Sequence, residues 1–447
     1  MRSVADTASL VRAGRLDPVR EAVAYLARIQ AGNARLHGLV HVAEGAVLRD
    51  AARLRERIAH GGTAGALAGV VMAVKDVFDV AGLPTGANAR LFAGTEPAAR
   101  DSTVAARLRA ADALIVGKAN CWEMSVGGPS RDSPAPPAVN PWSPGADPGG
   151  SSNGSAVAVA SGMAMAAIGG DTGGSVRLPA SFCGLVGFKP THGVVPMDGS
   201  IPFAASLDVA GPIAGSAADC ALVHAVLAGM AVHPAIPLEG VRIGVPDGLL
   251  AHGAATVAAM AAFDAACAAL ARAGATIARV ALPSAALFNP CYFLIARSEA
   301  FARWEATLAA RPDALNPLTR RSFAIGALIP PAAVADAIRL RAMLADELAA
   351  AMAGVDVLAL PTTPDEAGDL DAGDAFSRPD TAPFTRPFSL AGVPAVSLPC
   401  GLGPRGRPLG LQLVGRRGED ARLLAIATAA EAVLPATGMR PGQEWWR

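Results

Sequence analysis

The spacing of apolar residues predicts helices that alternate with short buried strands. From Pro18 to Ile29 apolar residues recur every three or four positions, which predicts an amphipathic helix, and we expect helices throughout residues 5–60. Continuous short apolar runs predict buried strands at Val70–Val74, Ala113–Gly117, Val241–Val245, Ile277–Leu282, Val355–Leu360 and Leu409–Val414. Further helices are predicted near 155–167, 253–274, 284–350 and 421–433, with loops at 131–148 and 365–383.

One stretch, Gly149–Thr191, is the most informative part of the chain. Two clusters rich in glycine and hydroxyl groups, GGSSNGS at 149–155 and DTGGS at 171–175, flank a run of small apolar residues. A segment that is apolar on every face is typical of a buried helix, and a strand, a turn and a second helix are predicted to follow through Cys183. Because buried glycines and hydroxyls are costly, a functional site is the best reason for both clusters.

The DTGGS cluster has the composition of an acyl-transfer site. Gly173 and Gly174 allow successive amide N–H groups to converge, and a short helical pattern begins at Ser175. A serine beneath converging amides fits a nucleophile with its oxyanion hole. A phosphate-binding loop would require a lysine directly after the glycines, which is missing here. A plain turn would not explain two such clusters around a buried run.

Composition narrows the class of protein. The chain has 447 residues, of which 52% are hydrophobic and only 4% aromatic, so its core is built from Ala, Val and Leu. This length makes two domains the ordinary expectation. With 38 Lys and Arg against 38 Asp and Glu, nothing favours nucleic acid or an anionic membrane as a partner.

The cysteines and the apolar runs predict where the protein resides. Its six cysteines form no CxxC pair, which indicates reduced thiols. The first residues are interrupted by charges, unlike a signal peptide, and no run of about 18 strongly apolar residues predicts a membrane span. We therefore expect a soluble cytoplasmic protein without a membrane partner.

Three blocks in the same order resemble the amidase signature family. The first is GVVMAVKD at 69–76 with VAGLPT at 80–85; the second joins the two clusters to GFKPT; the third comprises FTRPFSLAGVPA at 384–395 and GLQLVG at 410–415. The resemblance implies one α/β domain over 1–447 with the amidase-signature fold, a large mixed β-sheet covered by helices on both faces (an α/β/α sandwich). Within it, 1–60 would form N-terminal helices, 65–230 the signature core, 284–350 a variable helical pocket wall, and 351–447 a C-terminal part returning to the sheet.

The same resemblance implies a catalytic set. Lys75 would be the base, Ser151 a bridging hydroxyl and Ser175 the nucleophile, with a cis Gly150–Ser151 peptide. The amides of Thr172, Gly173, Gly174 and Ser175 would form the oxyanion hole. Burial at the end of a strand would lower the pKa of Lys75 and leave some neutral amine. The alternative is an ordinary ion pair of Lys75 with Asp76 or another carboxylate. His192, the histidine nearest in sequence, is interpreted as structural.

Supporting and substrate-binding residues follow from the same comparison. Asp171 is predicted to pair with Arg177 beneath the turn, and Gly150 and Ser152 to support the serines. Asn153 replaces a glycine usual in the family, and Val126 replaces a methionine. The predicted pocket residues are Trp122, Met124, Val126, Gly127, Phe288, Tyr292, Thr362 and Phe376, with Phe293 beside them.

The implied reaction is hydrolysis of the C–N bond of a linear amide without metal or cofactor. Esters, anilides and carbamates share its tetrahedral geometry, and a mostly apolar wall favours a small aryl or alkyl amide.

A first alternative is the glutamine-hydrolysing component of a tRNA-dependent amidotransferase, its A subunit, which would require partner subunits. Against it, Thr381–Pro383 stands where that branch tends to carry an acidic residue. A second alternative, a catalytically silent scaffold, conflicts with the presence of Lys75, Ser151 and Ser175. A homodimer is one expected assembly of the protein.

Overall fold

The computed structural model describes residues 2–371, 379–436 and 438–442. Fourteen α-helices lie within these ranges: α1 Val4–Arg12, α2 Pro18–Leu36, α3 Glu44–Ala59, α4 Thr103–Ala110, α5 Asn153–Ala160, α6 Arg177–Phe182, α7 Ala217–Ala228, α8 Asp247–His252, α9 Val257–Arg272, α10 Phe288–Ala310, α11 Pro317–Ala324, α12 Pro331–Ala351, α13 Arg386–Leu390 and α14 Asp420–Val433. The strands are β1 Leu39–Val42, β2 Val71–Lys75, β3 Leu114–Ala119, β4 Ala166–Asp171, β5 Val186–Lys189, β6 Val209–Ala214, β7 Arg242–Pro246, β8 Thr276–Val280, β9 Val357–Pro361, β10 Ala395–Leu402 and β11 Pro408–Val414.

All of these strands belong to one mixed sheet. Its 11 strands follow the order β1-β3-β2-β4-β6-β5-β10-β11-β9-β7-β8. Strands β3, β2 and β4 are parallel at one end, β9, β7 and β8 are parallel at the other, and the pairs between these groups are antiparallel. The predicted α/β class, a large mixed sheet with helices on both faces, is confirmed.

The sheet explains why two distant parts of the sequence meet. Strands β2 and β4 are parallel neighbours, with Val74 opposite Ile168. Lys75 is the last residue of β2, and Asp171, which opens the DTGGS turn, is the last residue of β4. Because the carboxyl ends of neighbouring parallel strands lie on the same side of the sheet, the lysine and the turn are brought together there.

Helix α5 is shorter than its sequence predicts. All eight residues of α5 are buried, as its lack of a polar face indicates. The predicted helix to Ala167 is wrong, because Gly162 adopts a left-handed φ of 76° and its N–H bonds to the Val159 carbonyl. A glycine in this conformation ends a helix, and the chain then enters β4 at Ala166.

Residues 5–60 are not entirely helical. Helix α2 ends where His37 adopts a φ of 51° and donates its N–H to the Asn33 carbonyl. The following β1 pairs antiparallel with β3 at the edge of the sheet. Strand β6 is likewise absent from the sequence prediction, because Gly211 and Pro212 disguise it, although it lies between β4 and β5.

The predicted variable wall at 284–350 is helical. It contains α10, α11 and α12; α11 and α12 each pack against α10, which also contacts α13. In the described ranges no single helix has the length and apolarity to cross a membrane, although α11 with its following turn and α12 pass that test together as a bent pair. The six cysteines are free thiols.

Candidate active site

Lys75 and Ser151 are in direct contact at the carboxyl-terminal end of strand β2. The side-chain nitrogen of Lys75 donates a hydrogen bond to Ser151 Oγ at 2.7 Å. Strand β2 places Lys75 there, while the loop before α5 places Ser151, whose carbonyl accepts the Trp122 amide at 3.1 Å. Both side chains are fully buried.

Burial determines the protonation of Lys75. It lowers the pKa of Lys75 to about 8, although the neighbouring Cys121, Asp208 and Asp171 oppose this shift. The alternative ion pair with Asp76 does not form, because Asp76 pairs instead with the buried Lys118 at 2.9 Å. Lys75 is therefore a buried amine whose hydrogen bond goes to a hydroxyl.

The two glycine and hydroxyl clusters are joined through the backbone. The Gly150–Ser151 peptide is cis, and the Ser152 amide donates to the Ser175 carbonyl at 3.2 Å. Ser152 Oγ both donates to the Gly170 carbonyl and accepts the Gly170 amide, each at 3.1 Å. These bonds fix the loop before α5 against the end of β4. Asn153 begins α5, so this departure from the family's glycine is accommodated in helical backbone.

Asp171 and Arg177 hold the DTGGS turn from below. Arg177 Nε and Nη2 each donate to a carboxylate oxygen of Asp171 at 3.0 Å, and both side chains are fully buried. Burial alone would raise the pKa of Asp171, but the Arg177 guanidinium holds it below its ordinary value. Arg177 also donates to Gln412 Oε1 at 2.7 Å and to Ser389 Oγ at 2.8 Å.

Asp171 also changes the predicted oxyanion hole. Its Oδ1 accepts the Gly174 amide at 2.7 Å, at a φ of 136° for Gly174. The inclusion of Gly174 among the four oxyanion donors is therefore corrected, since this N–H already bonds to a carboxylate. The amides of Thr172, Gly173 and Ser175 remain in the hypothesis.

Asp208 belongs to this site, although nothing in the sequence analysis pointed to it. Its Oδ1 accepts the Thr172 hydroxyl at 2.5 Å, and its Oδ2 accepts the amides of Phe203 and Ala204 at 2.9 and 3.0 Å. Burial raises the pKa of Asp208 to about 6, although these hydrogen bonds oppose the rise. The only sequence signal is an acidic residue directly before an apolar run.

Ser175 opens onto a cavity of about 820 Å³. The predicted residues Trp122, Val126, Gly127 and Tyr292 line it, together with Gly150, Thr172, Gly173 and Phe293. Three predicted wall residues lie elsewhere: Met124 and Phe288 belong to the hydrophobic core, and Thr362 is fully buried with its hydroxyl 2.8 Å from Ser397 Oγ. Phe376 lies outside the described residues.

The wall of this cavity carries charged residues in addition to the apolar ones that the sequence predicts. Arg297, Arg386, Asp380 and Asp147 line it as well. Arg386 forms a two-pronged ion pair with Asp380, at 2.5 and 2.6 Å. The sequence does not single out any of these four residues, because an arginine on a helix or a carboxylate in a loop is usually solvated.

Other titratable groups lie outside this arrangement. His192 Nε2 is 3.1 Å from the Ala205 carbonyl, and burial lowers its pKa. In the part of the chain that the structure describes, no group of three His, Cys, Asp or Glu side chains is arranged to hold a metal ion.

Comparison with known proteins identifies the family. The family model Amidase matches residues 21–424. The chain belongs to the amidase signature family. One relative is the A subunit of glutamyl-tRNA(Gln) amidotransferase from Anaeromyxobacter sp. (strain K), which is 38% identical over 453 residues that cover 92% of each chain.

Solved structures share the whole fold. A crystal structure of an amidase is 34% identical, with a TM-score of 0.89 over 97% of this chain and 100% of the other. A chain from a vestigial complex described as revealing the origins of an s-triazine catabolic enzyme is 29% identical, with a TM-score of 0.90 over 98% of this chain and 99% of the other. The resemblance inferred from the three sequence blocks is confirmed.

Proposed function

We propose that the protein is a serine amidase that hydrolyses a C–N bond through an acyl-enzyme on Ser175. One observation carries this proposal: the buried Lys75 amine contacts Ser151 Oγ at 2.7 Å, and the next residue, Ser152, donates its amide N–H to the carbonyl of Ser175, which lines the cavity. With a pKa of about 8, about a tenth of Lys75 is neutral at pH 7 and able to act as a base.

Each residue has a defined role in this mechanism. Neutral Lys75 takes the proton of Ser151, and Ser151 takes that of Ser175 as Ser175 Oγ attacks the amide carbon. The amides of Thr172, Gly173 and Ser175 stabilise the negative oxygen that forms. The proton passes to the departing nitrogen as the C–N bond breaks. Water then releases the acyl group, so that one amide and one water give one carboxylic acid and one amine or ammonia.

Two classes of substrate compete. The sequence favours a small aryl or alkyl amide, whereas the comparisons favour the first alternative, because the amidotransferase A subunits are 34–38% identical over nearly the whole chain. The segment Thr381–Pro383 contains no acidic residue, which counts against this alternative. Asp380, directly before that segment, does line the cavity and supplies a carboxylate next to the expected place. We therefore place glutamine ahead of a neutral amide, in a protein that works with partner subunits; esters, anilides and carbamates are secondary substrates.

Ammonia release tests both parts of the proposal. Wild-type protein and Ser175→Ala are assayed with glutamine and with neutral aryl and alkyl amides, alone and with the partner subunits of a bacterial glutamyl-tRNA(Gln) amidotransferase. We expect hydrolysis by wild type only, with glutamine preferred and stimulated by the partners. Preference for neutral amides without stimulation would reject the subunit role. No hydrolysis and no labelling of Ser175 by a fluorophosphonate would reject the amidase and leave a silent scaffold.

A further inference from the structure

We propose that Arg297 binds a carboxylate of the substrate, so that the site selects amides that carry a negative charge a few bonds from the scissile carbonyl. This inference rests on the proposed amidase function and names the substrate class that the cavity takes. Glutamine is one member of the class, and simple ω-amide acids are others.

Helix α10 carries both Tyr292, which contacts the DTGGS turn, and Arg297. The Tyr292 hydroxyl packs against the turn, because a Cβ added to Gly173 would overlap it. Arg297 follows five residues later and lines the same cavity as Ser175. Five residues turn a helix by about 140°, so the side chains of Tyr292 and Arg297 leave different sides of α10. Both nevertheless line the cavity onto which Ser175 opens, so a substrate that reaches Ser175 shares this cavity with the Arg297 guanidinium.

In the described part of the chain the Arg297 guanidinium contacts neutral groups. Its Nη1 donates to the Ser322 carbonyl at 3.4 Å, and its guanidinium lies 5.9 Å from the ring centres of both Phe203 and Phe293. Within the described ranges it forms no ion pair with a carboxylate. Burial lowers the pKa of Arg297, so its charged form is held at a cost that a bound anion would offset.

The other charged residues of the wall are already engaged. Arg386 pairs with Asp380 through both carboxylate oxygens. Asp147 Oδ1 accepts the Gly149 amide at 2.8 Å, on the side of the cavity near the serine loop. Among the described residues of this wall, Arg297 is therefore the cation that has no carboxylate partner.

The guanidinium is also well placed for recognition. Its planar fork matches the two oxygens of a carboxylate, and the rings of Phe203 and Phe293 restrict its orientation. A lysine at the same place would supply charge without the fork. The variant Arg297→Lys therefore separates the contribution of the charge from that of the fork.

Matched substrates measure the selectivity. Malonamate, succinamate and glutaramate are each compared with the neutral amide in which an isopropyl group replaces the carboxylate, such as 4-methylpentanamide for succinamate. The readout is the ratio of kcat/KM for the best acid to that for its neutral partner, with glutamine assayed alongside. We expect a ratio of about 100 in wild type, a fall to near 1 in Arg297→Gln, and an intermediate value in Arg297→Lys.

A second arginine on the same helix is the control. Arg303 is exposed and stacks on Trp304 at 5.3 Å, so Arg303→Gln removes the same charge from α10 outside the cavity. This variant should keep the wild-type ratio. A ratio near 1 in wild type, or a ratio that Arg297→Gln leaves unchanged, would overturn the inference.

Binding to an inactive protein separates this inference from the proposed chemistry. Calorimetric titration of the same acids into Ser175→Ala should show binding that weakens about 100-fold in Ser175→Ala/Arg297→Gln. If Ser175 hydrolyses neutral amides without preferring acids, the Arg297 inference fails and the amidase stands. If wild type hydrolyses nothing while Arg297 still controls binding, the amidase fails and the carboxylate site stands. Equal binding by both proteins would reject the carboxylate site.

Discussion

Lys75 Nζ lies 2.7 Å from Ser151 Oγ, and neither side chain has any exposed surface. In water such an amine would be protonated at neutral pH and would compete with solvent for its hydrogen bonds. Here burial shifts its pKa close to neutrality and directs it to a single hydroxyl. This contact, and the network that holds the DTGGS turn beside it, determine how activity and stability should respond to pH and to substitution.

Activity should increase with pH through the titration of Lys75. The pKa of Lys75 is lowered to about 8, and the proposed base is its neutral form, so kcat/KM should rise from pH 6.5 and level off above about pH 9. A neutral amide substrate avoids titration of the substrate itself. A flat profile between pH 6.5 and 9 would contradict the assignment of Lys75 as base.

Asp208 should set the position of that profile. Its negative charge raises the pKa of Lys75, and above pH 7 it is ionised, because its own pKa is about 6. Asp208→Asn removes the charge, while an amide can retain hydrogen bonds to Thr172 and to the amides of Phe203 and Ala204. The inflection of kcat/KM should move to lower pH by about 0.5–1 pH unit. No movement, or a move to higher pH, would rule out this electrostatic coupling.

Removing Lys75 should abolish hydrolysis and stabilise the fold. Between pH 8 and 10.5 the unfolded chain binds the proton that folded Lys75 has released, so wild-type stability should rise across this window. Below pH 8 burying the charge costs about 3 kcal/mol. Lys75→Met removes that cost but loses one hydrogen bond, for a net gain of about 1–2 kcal/mol at pH 7.

Urea unfolding of both proteins at pH 7 and pH 10 measures this gain. It should be largest at pH 7 and nearly absent at pH 10, where the wild-type amine is neutral in the fold. An equal loss of stability in Lys75→Met at both values would show that Lys75 carries no buried-charge cost.

Breaking the Asp171–Arg177 pair should be strongly destabilising. Both side chains are fully buried, and Arg177→Met would leave the Asp171 carboxylate without its cation, which costs about 3–5 kcal/mol. The control is the exposed pair of Arg279 with Asp247, where Arg279→Met should cost less than about 1 kcal/mol. Urea unfolding at pH 7 compares them. Similar small losses in both variants would mean that the buried pair contributes no more than a surface contact.

The sequence predicts the parts of the site whose signal is local. The apolar run before Lys75 indicates a buried strand that ends at the lysine, and the glycine and hydroxyl clusters mark both serine loops. Parallel pairing of β2 with β4 then requires these segments to meet at one edge. The pairing of Asp171 with Arg177 is similarly local, since only the DTGGS turn lies between the end of β4 and the start of α6.

Residues contributed from distant elements were not predictable. Asp208 and Arg297 reach the site only because β6 adjoins β4 and because α10 packs its Tyr292 side chain against the DTGGS turn. The cavity wall shows the same limit: Phe288 and Tyr292 are one helical turn apart and both belong to the core, yet of the two only Tyr292 lines the cavity. Helix periodicity gives a shared face, but not where along that face the cavity begins.

The rate at which a fluorophosphonate labels Ser175, followed by mass spectrometry across pH 6–10, tests the central claim most directly. In wild type we predict a single adduct on Ser175, with a rate that increases through an inflection near pH 8. Lys75→Met and Ser151→Ala should each label at least about 100-fold more slowly. An adduct on another residue, or a Lys75→Met protein that labels as fast as wild type, would contradict the account.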